Sequence, residues 1–92
     1  RLMDAKALQT SLDLLGAEAA HIAVYARSAL RTRSSRILMR RMPDDAAATA
    51  QQLFAVLRSF DDEGVRLIWI ETPPATPDWE GVRDRVQRAA VA

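Results

Sequence analysis

The sequence predicts a small α/β domain: a mostly parallel sheet of about four strands covered by three helices. Three observations point there. Apolar residues at Ala46, Ala50, Leu53, Leu57 and Phe60 recur at three- and four-residue steps, the helical period. After an acidic turn at Gly64, Val65-Arg66-Leu67-Ile68-Trp69-Ile70 forms a short, nearly continuous apolar run. Such a run is too short for a helix and suits a strand buried on both faces, as in a helix-covered parallel sheet. Thr76-Pro77-Asp78 then reads as a helix start, with Thr76 as N-cap and Pro77 at the first helical position, where its missing N–H costs nothing. Alternation of helix and strand calls for right-handed crossovers with helices on the sheet faces.

Taken in order, Leu2-Met3 reads as a strand tail over residues 1–3. Asp4 caps a helix over 4–15 whose apolar face is Ala5, Leu8, Leu12 and Leu15, and Gly16 ends it. His21 to Ala26 (HIAVYA) has the composition of a central strand, and residues 36–41 that of an edge strand. Pro43 with Asp44-Asp45 opens the long helix over 44–60, its acids suiting the positive end of the helix dipole. The turn Asp61-Asp62-Glu63-Gly64 leads to the strand over 65–70. The last helix, 77–90, gathers Trp79, Val82, Val86 and Ala89 on one face, with Glu80–Arg83 and Asp84–Arg88 spaced for weak surface pairs.

Composition narrows the function classes. The 92 residues carry a formal net charge of +1, so no global field steers the chain to nucleic acid or anionic membrane. Direct nucleic-acid binding is therefore not expected, and neither is a membrane partner. Cysteine is absent, which excludes disulfides and thiol catalysis and is compatible with a cytoplasmic location. No apolar run approaches the roughly 20 residues of a membrane span. The chain opens on Arg1 with neither an initiating Met nor a signal-like segment, and it is expected to be one domain excised from a longer protein.

Four features are weighed as chemistry. Arg27, Arg31, Arg33, Arg36, Arg40 and Arg41 cluster with no acid between Glu18 and Asp44, and Ser28, Thr32, Ser34 and Ser35 lie among them. Guanidinium forks and hydroxyls make this loop a candidate for a phosphate, a carboxylate or a partner, with Arg27, Arg31, Arg33 and Arg36 the named contacts. The plainer reading is a solvated loop whose arginines pair with the acids of the long helix and of Asp61-Asp62-Glu63. Those three acids lack the alternate spacing of a calcium loop, and Asp61 is expected just past the helix, bonding its own turn. His21 is the single histidine, so neither a zinc site nor a His-based catalytic set has enough groups, and a strand-edge or capping role fits it better. Glu71 ends the best strand and is the leading carboxylate for a ligand cleft; the favoured alternative is a strand terminator bonded to a neighbouring loop. Neither GxGxxG nor GxxxxGK[ST] occurs, so a glycine-rich phosphate cradle is missing.

One order of residues carries more than its parts. Ala50, Leu53-Phe54, Leu57-Arg58, Asp61, Gly64, Ile68, Glu71, Pro73-Pro74, Asp84-Arg85-Val86 and Arg88-Ala89-Ala90 together resemble the C-terminal domain of the long, two-domain threonylcarbamoyl-AMP synthases. These are the Sua-type enzymes, whose first domain is the YrdC-like catalytic one. The pattern covers about residues 46–90; before Met42 only the strand–helix–strand arrangement is shared. Pro77-Asp78-Trp79 stands where many members have a Gly-hydrophobic-Gly step. The resemblance implies a Rossmann-like fold and a non-catalytic accessory role beside an N-terminal catalytic domain and the interdomain linker. It implies a parent enzyme that uses ATP and magnesium to join L-threonine and bicarbonate into threonylcarbamoyl-adenylate for tRNA modification. None of the family's catalytic residues maps onto this chain, and no cofactor is expected within it. Two alternatives stay open: an independent anion- or nucleotide-binding module, and a protein-interaction domain docking through Trp79 or the edge near Ile37 to Met39.

Overall fold

The structure, a computed structural model, describes residues 1–91. Asp4 caps α1 (Ala5–Leu15) by accepting a 2.7 Å bond from the Ala7 N–H. Asp45 does the same for α2 (Ala46–Asp62) through the Ala48 N–H at 3.0 Å. Thr76 stands at the N-cap position and Pro77 at N1 of a short 3-10 turn, Pro77–Trp79, which runs into α3 (Glu80–Val91). The strands are β1 (Leu2–Met3), β2 (Ile22–Ala26), β3 (Leu38–Arg41) and β4 (Leu67–Glu71). Boundaries shift by one or two residues from the pattern, except that the last helix opens with the 3-10 turn and becomes α-helical only at Glu80; the order of the elements agrees with it.

All strand pairs are parallel, and the order is β1-β4-β2-β3. The chain moves outward from β1 through α1 to β2 and on to β3, then returns through α2 to place β4 between β1 and β2. Reversing direction puts the return helix on the opposite face, which keeps the crossover hand the same. Consequently β2 and β4 are neighbours whose C-terminal connections leave toward opposite faces. That is the topological switch point, where open α/β sheets leave a crevice.

Two apolar layers follow from strand alternation. Leu8 and Leu12 of α1 pack with Ile22, Val24, Ala26, Ile37 and Trp69 on one face. Ala23, Tyr25 and Ile70 meet Leu53 and Phe60 of α2, and Trp79, Val82 and Val86 of the last helical segment, on the other. All five residues of β2 are buried, as expected of a central strand. The exposure expected of Trp79 and Ile37 as docking residues is overturned: they are only 4% and 5% exposed and belong to the two cores. Large apolar side chains that do face solvent, Leu14, Phe54 and Leu67, sit on three different elements.

The acidic turn also corrects an expectation. Asp61 lies inside α2, not beyond it, because the helix runs to Asp62. The Gly64 N–H donates to the Asp61 carbonyl (3.0 Å) and the Val65 N–H to the Phe60 carbonyl (3.2 Å), a Schellman closure with Gly64 at φ +75°. Val65 then packs against the core that holds Phe60. A Cβ on Gly64 would meet nothing within 4 Å, so Gly64→Ala isolates the backbone term. It should lower stability by about 1 kcal/mol in urea unfolding, the cost of a left-handed Cβ-bearing residue.

Tyr25 supplies a pH prediction. Its ring is fully buried, and its hydroxyl accepts a 2.7 Å bond from Gln52 Nε2. Burial pushes the phenol pKa above its ordinary value. The unfolded chain therefore loses the proton first, so the stability tied to the protonated phenol is full below pH 10 and declines as pH climbs toward the raised folded value. Comparing native chain and Tyr25→Phe by urea unfolding between about pH 8 and about pH 11 should show the native chain's relative stability falling with pH.

Candidate functional site

The β2/β4 register pairs Tyr25 with Ile70, which sets Glu71 beside the start of the loop after β2. Its carboxylate closes the switch point. Oε1 accepts from the backbone N–H groups of Arg27 (2.9 Å) and Ser28 (2.8 Å). Oε2 accepts from Arg27 Nη2 (3.1 Å) and the Ser28 hydroxyl (3.0 Å). With the residue 5% exposed, this is a buried carboxylate whose four acceptor sites are filled from its own chain.

Arg27 is held from two further sides. Nη2 also donates to the Thr72 carbonyl (3.1 Å), and the guanidinium carbon lies 5.7 Å from the centroid of the Trp79 ring. Arg27 Nε is buried with no hydrogen-bond partner, and the negative face of the indole offers partial compensation. The loop carrying Trp79 is fixed in turn by Arg83, whose Nη1 donates to the carbonyls of Pro74 and Thr76. Arg83 therefore spends its guanidinium on this loop, and the expected Glu80–Arg83 pair does not form, while Asp84–Arg88 does at 3.2 Å.

The arginine cluster does not converge on one point. Arg27 is the member at the switch point. Arg31 lies over α1, its backbone N–H and carbonyl both bonded to the Gln9 side chain at 2.9 Å. Arg33 is exposed on the same loop, which is stitched down by Ser34, whose hydroxyl donates to the Ala19 carbonyl. Arg36 lines a hollow with His21, Glu63 and Val65 at the opposite, N-terminal end of the strands. Arg40 and Arg41 are exposed on β3, at most about 13 and about 16 Å of extended chain from Arg36. Among the described residues the ion pairs are Arg27–Glu71 and Arg88–Asp84, so the expected pairing of this cluster with the acids of α2 is not made.

His21 stands before β2 at φ +65°, and its carbonyl accepts from the Arg66 (2.8 Å) and Leu67 (3.2 Å) N–H groups, a capping role for β4. No group of three or more His, Cys, Asp or Glu among the described residues is placed to hold a metal ion. Sequence reasoning favoured Glu71 as a strand terminator bonded to a neighbouring loop and named Arg27 separately, without pairing the two. It missed Thr72, and it gave Ser28 and Trp79 other roles than completing this cluster. The available signal was the parallel pairing of the two best strands, which brings their C-terminal residues side by side.

A family model described as the threonylcarbamoyl-AMP synthase C-terminal domain matches residues 1–91. The chain belongs to this family. The match extends the likeness of residues 46–90 through the first strand–helix–strand unit, so the threonylcarbamoyl-AMP synthase C-terminal domain accounts for every described element. No curated protein and no solved structure is matched. No described helix of this C-terminal domain is long and apolar enough to cross a membrane.

Proposed function

We propose that the chain is a non-catalytic accessory domain, acting on the catalytic domain and linker of the same polypeptide in a threonylcarbamoyl-AMP synthase. The observation that carries this reading is the closed switch point. Ligands of open α/β sheets bind in that crevice, and here it is bridged by a carboxylate with no acceptor left for a substrate. The same fact weighs against an independent nucleotide-binding module.

In the parent protein the N-terminal domain condenses L-threonine, bicarbonate and ATP into threonylcarbamoyl-adenylate, pyrophosphate and water. Magnesium and ATP are bound there, and the product supplies the threonylcarbamoyl group of modified tRNA adenosine. The contribution of this domain is mechanical: a rigid sheet edge and the loop bearing Arg27, Arg31, Arg33 and Arg36 against which the catalytic domain or linker rests. Arg31, Arg33 and Arg36 have no ion-pair partner among the described residues, which leaves them available to acids on that surface.

The test is pyrophosphate release from ATP by the intact protein, with and without residues 1–92, dependent on threonine and bicarbonate. Deletion is expected to lower turnover or to change the KM for a substrate. Unchanged kinetics after deletion overturns the accessory role. An intact protein with no such turnover removes the activity assigned to the parent.

A further inference from the structure

We propose that the free edge of β3 accepts an extended peptide segment carrying two adjacent acidic residues next to two apolar ones. The inference does not depend on the accessory-domain reading. β3 ends the sheet, pairing with β2 alone. The Met42 N–H donates to the Ala26 carbonyl at 2.8 Å, which fixes the parity of the parallel ladder. With Ala26 registered on Arg41, the N–H and C=O groups of Leu38 and Arg40 point toward β2. Those of Met39 and Arg41 point away from the sheet. An added strand would satisfy them.

The side chains specify what that strand carries. Arg40 and Arg41 are consecutive, exposed, on opposite faces of the strand, and without an ion-pair partner among the described residues. Arginines at an edge discourage pairing with a second copy of the same strand, since like charges would meet. They favour a strand with one acid on each face at that register. The other half of β3 is apolar, and a groove of about 250 Å3 runs from Met39 along the arginine half on the β2/β3 face, lined by Val24, Ala26, Leu30, Met39, Arg40 and Arg41. That groove suits an aliphatic side chain from the incoming strand on the α1 face. Nucleic acid fits less well. Phosphate oxygens accept but cannot donate to the outward carbonyls, and β3, Leu38-Met39-Arg40-Arg41, offers no aromatic ring for a base.

The test uses the intact protein and two short peptides, one containing Val-Val-Glu-Glu for parallel addition and one containing Glu-Glu-Val-Val for antiparallel addition. Val-Val-Lys-Lys and a single-stranded RNA oligonucleotide serve as comparisons. One acidic peptide should slow amide hydrogen exchange at Met39 and Arg41 by about tenfold or more at saturation, leaving the already bonded Leu38 and Arg40 amides little changed. The double change Arg40→Glu with Arg41→Glu should weaken that peptide by about tenfold, since both cross-strand pairs become repulsive. Arg41→Pro should bind more weakly than Arg41→Ala, because proline removes the outward N–H without touching the β2 ladder. Absence of protection by either acidic peptide overturns the proposal, as does equal protection by the lysine peptide. Protection of the Met39 and Arg41 amides by RNA alone would overturn it and make this edge a nucleic-acid surface instead.

Discussion

Glu71→Ala should lower stability by about 3–5 kcal/mol, the range for removing one partner of a buried ion pair. The carboxylate is the acceptor for two backbone N–H groups, a guanidinium and a hydroxyl at the end of β2. Alanine would leave the Arg27 and Ser28 N–H groups and the Ser28 hydroxyl without this acceptor, and would leave the Arg27 charge unpaired, its Nη2 bonded to the Thr72 carbonyl alone. Glu71→Gln should be milder, about 1–3 kcal/mol. Its amide oxygen still accepts from the Arg27 and Ser28 N–H groups, but its NH2 group faces the Arg27 guanidinium. Replacing the pair together, Glu71→Gln with Arg27→Met, should cost less than the sum of the two single changes, because no unpaired charge remains. Urea unfolding of these variants and of Arg27→Met alone gives the four values, and faster amide exchange at Arg27 and Ser28 in Glu71→Ala would locate the damage. A Glu71 kept for a ligand would behave the other way: Glu71→Ala would leave the unliganded protein as stable as before, or more so.

How far the fold was legible follows from which forces are local. The helical period of Ala46 to Phe60 and the capping by Asp4 are properties of a few consecutive residues, and the structure keeps them, whereas Thr76 holds the N-cap position without a side-chain capping bond. The run HIAVYA likewise announces a central strand, and the structure buries it from Ile22 to Ala26. Legibility fails where a role depends on residues far apart in sequence. Glu71 and Arg27 are 44 positions apart, and only the β2/β4 pairing makes one the partner of the other. The arginines err in the same way: six neighbours in sequence look like one site, yet a strand and a loop spread them from one end of the sheet to the other. Asp61 was misplaced for a local reason, since a Schellman closure at Gly64 lets the helix run two residues further than its last buried side chain, Phe60.

Trp79 was legible and misleading together. The helical period set it on the same face as Val82 and Val86, yet an indole behind Pro77-Asp78 also reads as an exposed docking residue. The difference is made by the loop Thr72 to Thr76, which Arg83 holds down through the Pro74 and Thr76 carbonyls, so that the 3-10 turn presses the ring into the core. Trp79→Ala should therefore cost about 3–5 kcal/mol, the loss of a large core aromatic, where a docking residue would change partner binding and leave the urea midpoint alone. Trp79→Phe keeps an aromatic face over Arg27 and should cost clearly less. Trp69 remains in both variants as a buried fluorescent reporter of unfolding. The ring also covers the guanidinium that Glu71 pairs, so the two largest effects share a residue. In a Glu71→Ala background Arg27 is already released, and part of what Trp79→Ala would take away is gone. The double variant should fall short of the summed single losses, by an amount that measures how strongly indole and carboxylate act on Arg27 as one clamp.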